Sequence, residues 1–174
     1  MPWGDFLFRR FRSELNILQR YIGLLAGISF FTAFGGVLLW VNGSAAPVVF
    51  RVTNIPTILP GITICFLLWL LIYGLAGLKI GYSLISTVIN KCGLLQTVTK
   101  EILAYILLLA WYPLFFSVVH AFFAAVVLCT AIGIQLWSFL TGRRGYFICL
   151  PITILQIVLE IYFVLITVTY ILIN

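Results

Sequence analysis

The sequence predicts an all-α membrane protein: a bundle of five transmembrane helices with a proline-containing loop between the first and the second. Three observations carry that expectation. The chain of 174 residues is 64% hydrophobic and 8% charged, with a mean hydropathy of +1.23, so its polar side chains are too few to coat a soluble globule. Its apolar residues gather into five runs, each near the roughly twenty residues that cross a hydrocarbon core of about 30 Å. Its 10 basic residues fall unevenly on the connections between those runs, as the positive-inside rule requires of a membrane protein.

Residues 1–20 form a basic amphipathic segment. Arg9, Arg10, Arg12 and Arg20 lie there, while Phe8, Phe11, Leu15 and Leu18 recur at helical spacing, so the segment reads either as an interfacial helix or as a short basic flank. The membrane domain covers 21–174. Tyr21 to Val41 is apolar and long enough to span. A basic start and the small residues Ser44, Ala45 and Ala46 also fit a signal peptide, but the run exceeds an h-region of about 7–15 residues, so a retained helix is expected.

The chain is organised around the stretch from Phe50 to Tyr82. Asn54, Pro56 and Pro60 punctuate a loop that cannot be a buried strand, because the two prolines remove backbone donors and push Ile55 and Leu59 towards extended geometry. The second span, about Ile58 to Tyr82, carries Trp69, Tyr73 and Gly77 at steps of four, which share one helix face. Three more spans follow at about Ile102 to Val119, Ala121 to Leu140 and Tyr146 to Ile173. Only a corner near His120 separates the third from the fourth, so these two form an antiparallel pair.

Five spans put the amino terminus, the connection from Ile85 to Glu101 and that from Thr141 to Gly145 on one side. That side holds Arg9, Arg10, Arg12, Arg20, Lys91, Lys100, Arg143 and Arg144, with Lys79 near its boundary; Arg51 alone lies opposite. The positive-inside rule therefore puts the amino terminus of this integral, multi-pass chain in the cytoplasm; a bacterial cytoplasmic membrane is the expected location, with the organism unknown. The net charge of +6 is accounted for by orientation and calls for no nucleic acid.

Catalytic chemistry finds little support. Cys65, Cys92, Cys129 and Cys149 have no metal-ligand or redox spacing and read as small buried hydrophobes. A lone His120 makes no metal centre. No phosphate-binding glycine loop and no nucleophile with an evident base occurs, so no catalytic residue, metal or resident cofactor is assigned.

Two charges inside the spans stand out. Glu160 falls near the middle of the last span, where a carboxylate is costly and marks a candidate site; it is expected to be neutral or bonded to Gln135, Gln156 or a hydroxyl. Lys79, placed about 12 Å from the midplane, is expected to snorkel to the cytoplasmic interface without pairing with Glu160. The aromatics form a second cluster, with Trp69, Tyr73, Trp111, Tyr112, Phe115 and Phe116 in the second and third spans. Trp69 and Trp111 fall near mid-span, where their faces suit a flat apolar ligand or ordinary helix packing.

Phe50-Arg51, Asn54-Ile55-Pro56, Pro60 and Trp69-Leu70-Leu71-Ile72-Tyr73 with Gly77 resemble the signature of the TspO/MBR family, the tryptophan-rich sensory proteins that include the translocator protein or peripheral-type benzodiazepine receptor. Trp111-Tyr112-Pro113-Leu114-Phe115-Phe116 is similar to that family's W-T-P-L-F-F, and Pro151 and Asn174 add to the likeness. The resemblance covers about residues 20 to 174. It implies a five-helix bundle, often a homodimer, that binds porphyrin, haem or sterol-like molecules between its helices. Trp69, Tyr73, Trp111 and Phe115 would line that site, Asn54, Pro56 and Pro60 would shape its lid, and Gly77 and Pro113 would serve helix packing.

The sequence also departs from the family pattern. Leu108 replaces an asparagine and Val127 stands near the place of an aspartate. Leu155, or Leu159 if one turn is inserted, takes the place of a last-span tryptophan, and no Lys or Arg follows Tyr170. The family's light-dependent porphyrin breakdown is associated with a tryptophan pair, so the expectation is a ligand-binding protein with a sensory, regulatory or transport role. Gly74, Gly77 and Gly81 suit either sliding helices or a dimer face of the small-xxx-small type.

Overall fold

The computed structural model describes residues 3–43, 61–90, 95–116, 120–141 and 149–174. These form five helices: α1 (Trp3–Gly43), α2 (Ile62–Asn90), α3 (Leu95–Phe116), α4 (Ala121–Thr141) and α5 (Leu150–Ile173). No strand occurs among the described residues, and Gly61, His120, Cys149 and Asn174 alone lie outside the α-helices. All five are long and apolar enough to cross a membrane, over Ile17–Val41, Thr63–Ile85, Gln96–Phe116, Ala121–Thr141 and Leu150–Ile173. The chain is thus an all-α five-helix bundle of multi-pass membrane type.

Local chemistry sets the helix ends. The Gly61 carbonyl accepts the N–H groups of Ile64 (2.9 Å) and Cys65 (3.1 Å), which starts α2 after Pro60. His120 joins α3 to α4: its N–H donates to the Leu114 carbonyl and its own carbonyl accepts from Ala124, both at 3.0 Å. Pro151 occupies the first turn of α5, where its missing donor leaves nothing unpaired. Thr130, Thr141, Thr153, Thr167 and Thr169 each donate a hydroxyl to the carbonyl four residues earlier, so none is a lone hydroxyl in apolar surroundings.

α1 runs unbroken through the boundary expected between residues 20 and 21. It lies along α2 at a glycine seam. A Cβ on Gly77 would stand 2.6 Å from the Gly27 carbonyl oxygen, one on Gly27 would stand 2.6 Å from that of Gly77, and one on Gly81 would stand 2.8 Å from that of Gly23. Backbone therefore meets backbone, as small residues permit in a membrane. Gly74 also faces α1, with Thr32 Oγ1 at 3.3 Å from its virtual Cβ. The stripe open to reading as a dimer face is covered by the chain's own first helix.

The other helices bury stripes with steps of three and four. On α2 the stripe is Cys65, Trp69, Ile72, Ala76, Lys79 and Ser83; on α3, Thr97, Glu101, Ala104, Leu108, Trp111 and Phe115. On α4 it is Ala121, Ala124, Leu128, Ala131, Gln135 and Ser138; on α5, Thr153, Gln156, Glu160, Phe163, Thr167 and Tyr170. This 3.5-residue spacing is that of left-handed bundles. Trp40 and Trp137 project outward near span ends, as interfacial tryptophans do.

Two expected boundaries move. α2 continues to Asn90, and α3 begins at Leu95 instead of Ile102. Glu101, expected in a connection, is a helical residue only 2% exposed. The reason lies across the bundle, where Lys79 supplies a counter-charge that lets both groups leave water.

Candidate functional site

Two layers occupy the interior. Trp69 lies opposite Trp111 and Lys79 opposite Glu101, so one antiparallel register of α2 and α3 places both pairs. The step of ten positions from Trp69 to Lys79 separates the layers by about 15 Å along the helices.

The layer nearer the start of α2 is aromatic. Trp69 and Trp111 stack with centroids 4.7 Å apart, and Trp111 stacks on Phe115 at 4.9 Å. Tyr73 lies 5.6 Å from Trp69 and 5.6 Å from Tyr105. Gly35 of α1 makes room for the Tyr73 ring, since a Cβ there would collide with it. Tyr105 in turn donates its hydroxyl to the Phe31 carbonyl at 2.6 Å, tying α3 to α1. Pro113 sits within α3 and has no N–H for the Leu109 carbonyl, so the turn carrying Phe115 is held by one backbone hydrogen bond fewer.

The four rings expected to line a ligand site are thus contiguous, and all are buried. They stand nearer the Gly61 end of α2 than the expected mid-span level, because α2 extends further at its other end: Trp69 is near the start of Thr63–Ile85 and Trp111 near the end of Gln96–Phe116. Asn54, Pro56 and Pro60 lie outside the described residues.

α5 adds rings that the sequence reading missed. Phe163 meets Trp69 at 5.0 Å and Trp111 at 5.3 Å, and Tyr170 meets Phe115 at 5.2 Å. Leu155, at the place of the family tryptophan, is 47% exposed and faces outward, while Leu159 packs at the edge of the core. Thr167 accepts the Trp111 Nε1 hydrogen at 3.2 Å. The Trp69 Nε1 is different: it is buried and has no hydrogen-bond partner.

The second layer is polar. Lys79 does not snorkel. Its side chain is fully buried, its Nζ lies 2.9 Å from Glu101 Oε2, and it donates to Gln135 Oε1 at 3.1 Å. Lysine only donates, so the Gln135 oxygen must face it and the amide nitrogen turns the other way. That Nε2 donates to both Glu160 oxygens, at 2.7 and 3.0 Å, and Gln156 Nε2 donates to Glu160 Oε1 at 2.7 Å. Gln135 thus links the Lys79 charge to the Glu160 carboxylate without a direct ion pair, drawing α2, α3, α4 and α5 together. Because helical side chains at 4-residue spacing share a face, Gln156 reaches Glu160 within one helix.

Cys149, at the foot of α5, borders this layer. Burial pushes its thiol up to about 11, with Lys79 acting to lower it and Glu101 to raise it. The neutral thiol is the form that the fold favours, so this contribution to stability is present below the ordinary thiol range and declines as pH rises towards 11. In a variant retaining Cys149 as its sole cysteine, iodoacetamide at pH 8 is expected to alkylate the folded chain at least tenfold more slowly than the detergent-denatured chain, since the thiolate is the nucleophile. Equal rates would contradict the burial.

Among the described residues no group of three or more His, Cys, Asp or Glu side chains could hold a metal ion. Comparison with protein-family models, with curated proteins and with solved structures finds no match to this chain.

Proposed function

We propose that this protein is a membrane receptor or carrier for a planar hydrophobic molecule of tetrapyrrole or sterol type, bound at Trp69, Tyr73, Trp111 and Phe115. In this reading it is a divergent member of the TspO/MBR family, homodimeric, with its amino terminus on the cytoplasmic side of a bacterial membrane. The observation that carries the reading is the stack of Trp69 and Trp111 with an unpartnered indole N–H at its edge. A buried donor without an acceptor costs about 1–3 kcal/mol, and a flat ligand with a peripheral acceptor would satisfy it.

The rings lie face to face, so a ligand must part Trp69 from Trp111. That forfeits a contact of about 0.5–1.5 kcal/mol. Burial of several hundred Å² of ligand at about 25 cal/mol per Å² offsets this and the costs of association, leaving micromolar affinity as the expected range.

The alternative of a transporter has its own support in the glycine seam, because closely apposed backbones without interlocking side chains can slide. Porphyrin breakdown has less, since Leu155 turns away from the rings.

The test is a titration of the detergent-solubilised chain with protoporphyrin IX, followed by tryptophan quenching. Saturable quenching at about one site per chain, weakened at least tenfold in Trp69→Leu and unchanged in the outward-facing Trp137→Leu, is the expected result. Linear quenching that is alike in all three proteins would overturn the proposal.

A further inference from the structure

The polar layer carries more oxygen than its hydrogen bonds use. Lys79 is matched by Glu101, while Glu160 is met only by neutral amide hydrogens. When ionised, Glu160 therefore carries a negative charge with no cation in contact, inside a span where such a charge is unfavourable. Gln156 turns its nitrogen to Glu160, which leaves its Oε1 buried, beside the carboxylate and without a partner. Ser138 Oγ is likewise buried and unpartnered.

These atoms share a level. Gln135 of α4 touches Glu160 of α5, and α4 and α5 run antiparallel. One turn further along α4 is Ser138, and one turn back along α5 is Gln156, so the same register puts these two residues at one level, displaced from Glu160 in the same direction along the bundle.

We propose that Glu160, Gln156 and Ser138 form an intramembrane binding site for a monovalent hard cation of the sodium or potassium kind. A carboxylate, an amide carbonyl and a hydroxyl are hard oxygen donors of the type that such ions take, and they lack the thiolate and imidazole groups that select transition metals. The charge selects the valence. A single positive charge balances the Glu160 carboxylate, whereas a divalent ion would leave an excess near the Lys79 ammonium that Gln135 links to it. The site is independent of the aromatic layer and of any planar ligand.

The test uses the full chain in detergent, with sodium or potassium chloride replacing N-methyl-D-glucamine chloride at constant chloride and constant pH. Thermal unfolding is expected to rise saturably, by about 3 °C or more, with at least one of the two metal cations. Glu160→Gln should abolish the rise. Gln156→Met, which keeps the carboxylate and the side-chain length, should weaken the apparent affinity by about tenfold. Equal melting temperatures of the native chain in all three salts would overturn the site, whatever the variants do. So would a rise retained in full by Glu160→Gln. A melting temperature that follows pH but ignores cation identity would show a proton in place of the cation, and would also overturn it.

Discussion

Lys79→Met is expected to destabilise the protein by about 3–5 kcal/mol, because it leaves Glu101 buried without its counter-charge and removes the donor that orients Gln135. The ammonium sits 2.9 Å from Glu101 and 3.1 Å from Gln135 with no exposure at all, so water cannot take its place without opening the bundle. Gln135 would keep its amide nitrogen on Glu160, and its buried oxygen would lose the Lys79 donor. The penalty arises from the partner left behind and not from the loss of a strong bond. Removing both charges together, as Lys79→Met with Glu101→Met, should therefore cost less than the sum of the two single changes, with a coupling of about 1–3 kcal/mol. Reversible unfolding of the four proteins in detergent measures this cycle. Additive effects would mean that the two side chains do not depend on one another.

Gly77→Leu is the second large change expected. Any Cβ at this position stands 2.6 Å from the Gly27 carbonyl oxygen and 2.9 Å from the Phe31 Cβ, and a backbone atom cannot move aside as the end of a flexible side chain can. The two helices must separate along the seam from Gly23 to Gly35, which also withdraws the Phe31 carbonyl from the Tyr105 hydroxyl and the Gly35 surface from the Tyr73 ring. A loss of about 3 kcal/mol, at the upper end of overpacking penalties, is expected, together with a shift of the tryptophan emission that reports Trp69 beside Tyr73. Gly133 is the internal comparison. It is helical and exposed, with nothing within 4 Å of a virtual Cβ, so Gly133→Ala should stabilise the chain by about 0.5–1 kcal/mol. If both substitutions behaved alike, close packing of α1 on α2 would be refuted.

The fold class was legible because lipid demands it: five long apolar runs leave few structures other than five helices. The buried faces were harder to find, since hydrophobic residues surround every helix. The polar residues held the missing signal. Thr153, Gln156, Glu160 and Thr167 recur on α5 at steps of three, four and seven, and a polar stripe in a spanning helix points inward. That stripe would have brought Phe163 and Tyr170 into the aromatic layer. It would also have turned Leu155 outward, which the likeness to a family tryptophan obscured.

Lys79 was misplaced for a different reason. A span ending at Tyr82 puts it close to an interface, whereas the spanning stretch ends at Ile85. Its partner Glu101 was assigned to a connection, and pairing across two helices depends on a register that local sequence does not encode. The aromatic cluster, by contrast, came from steps of four within α2 and from two short runs of rings, and such local spacing survives into three dimensions.

The orphan indole N–H of Trp69 gives the most direct test of a ligand in the aromatic layer. Protoporphyrin IX affinity would be measured for the native chain and for Trp69→Phe, which keeps an aromatic face and removes only the donor and part of the ring. Loss of one hydrogen bond predicts a drop of about 2- to 10-fold in affinity, with the stoichiometry held near one per chain. An affinity unchanged by this substitution, in protein that remains folded, would contradict a ligand seated at Trp69.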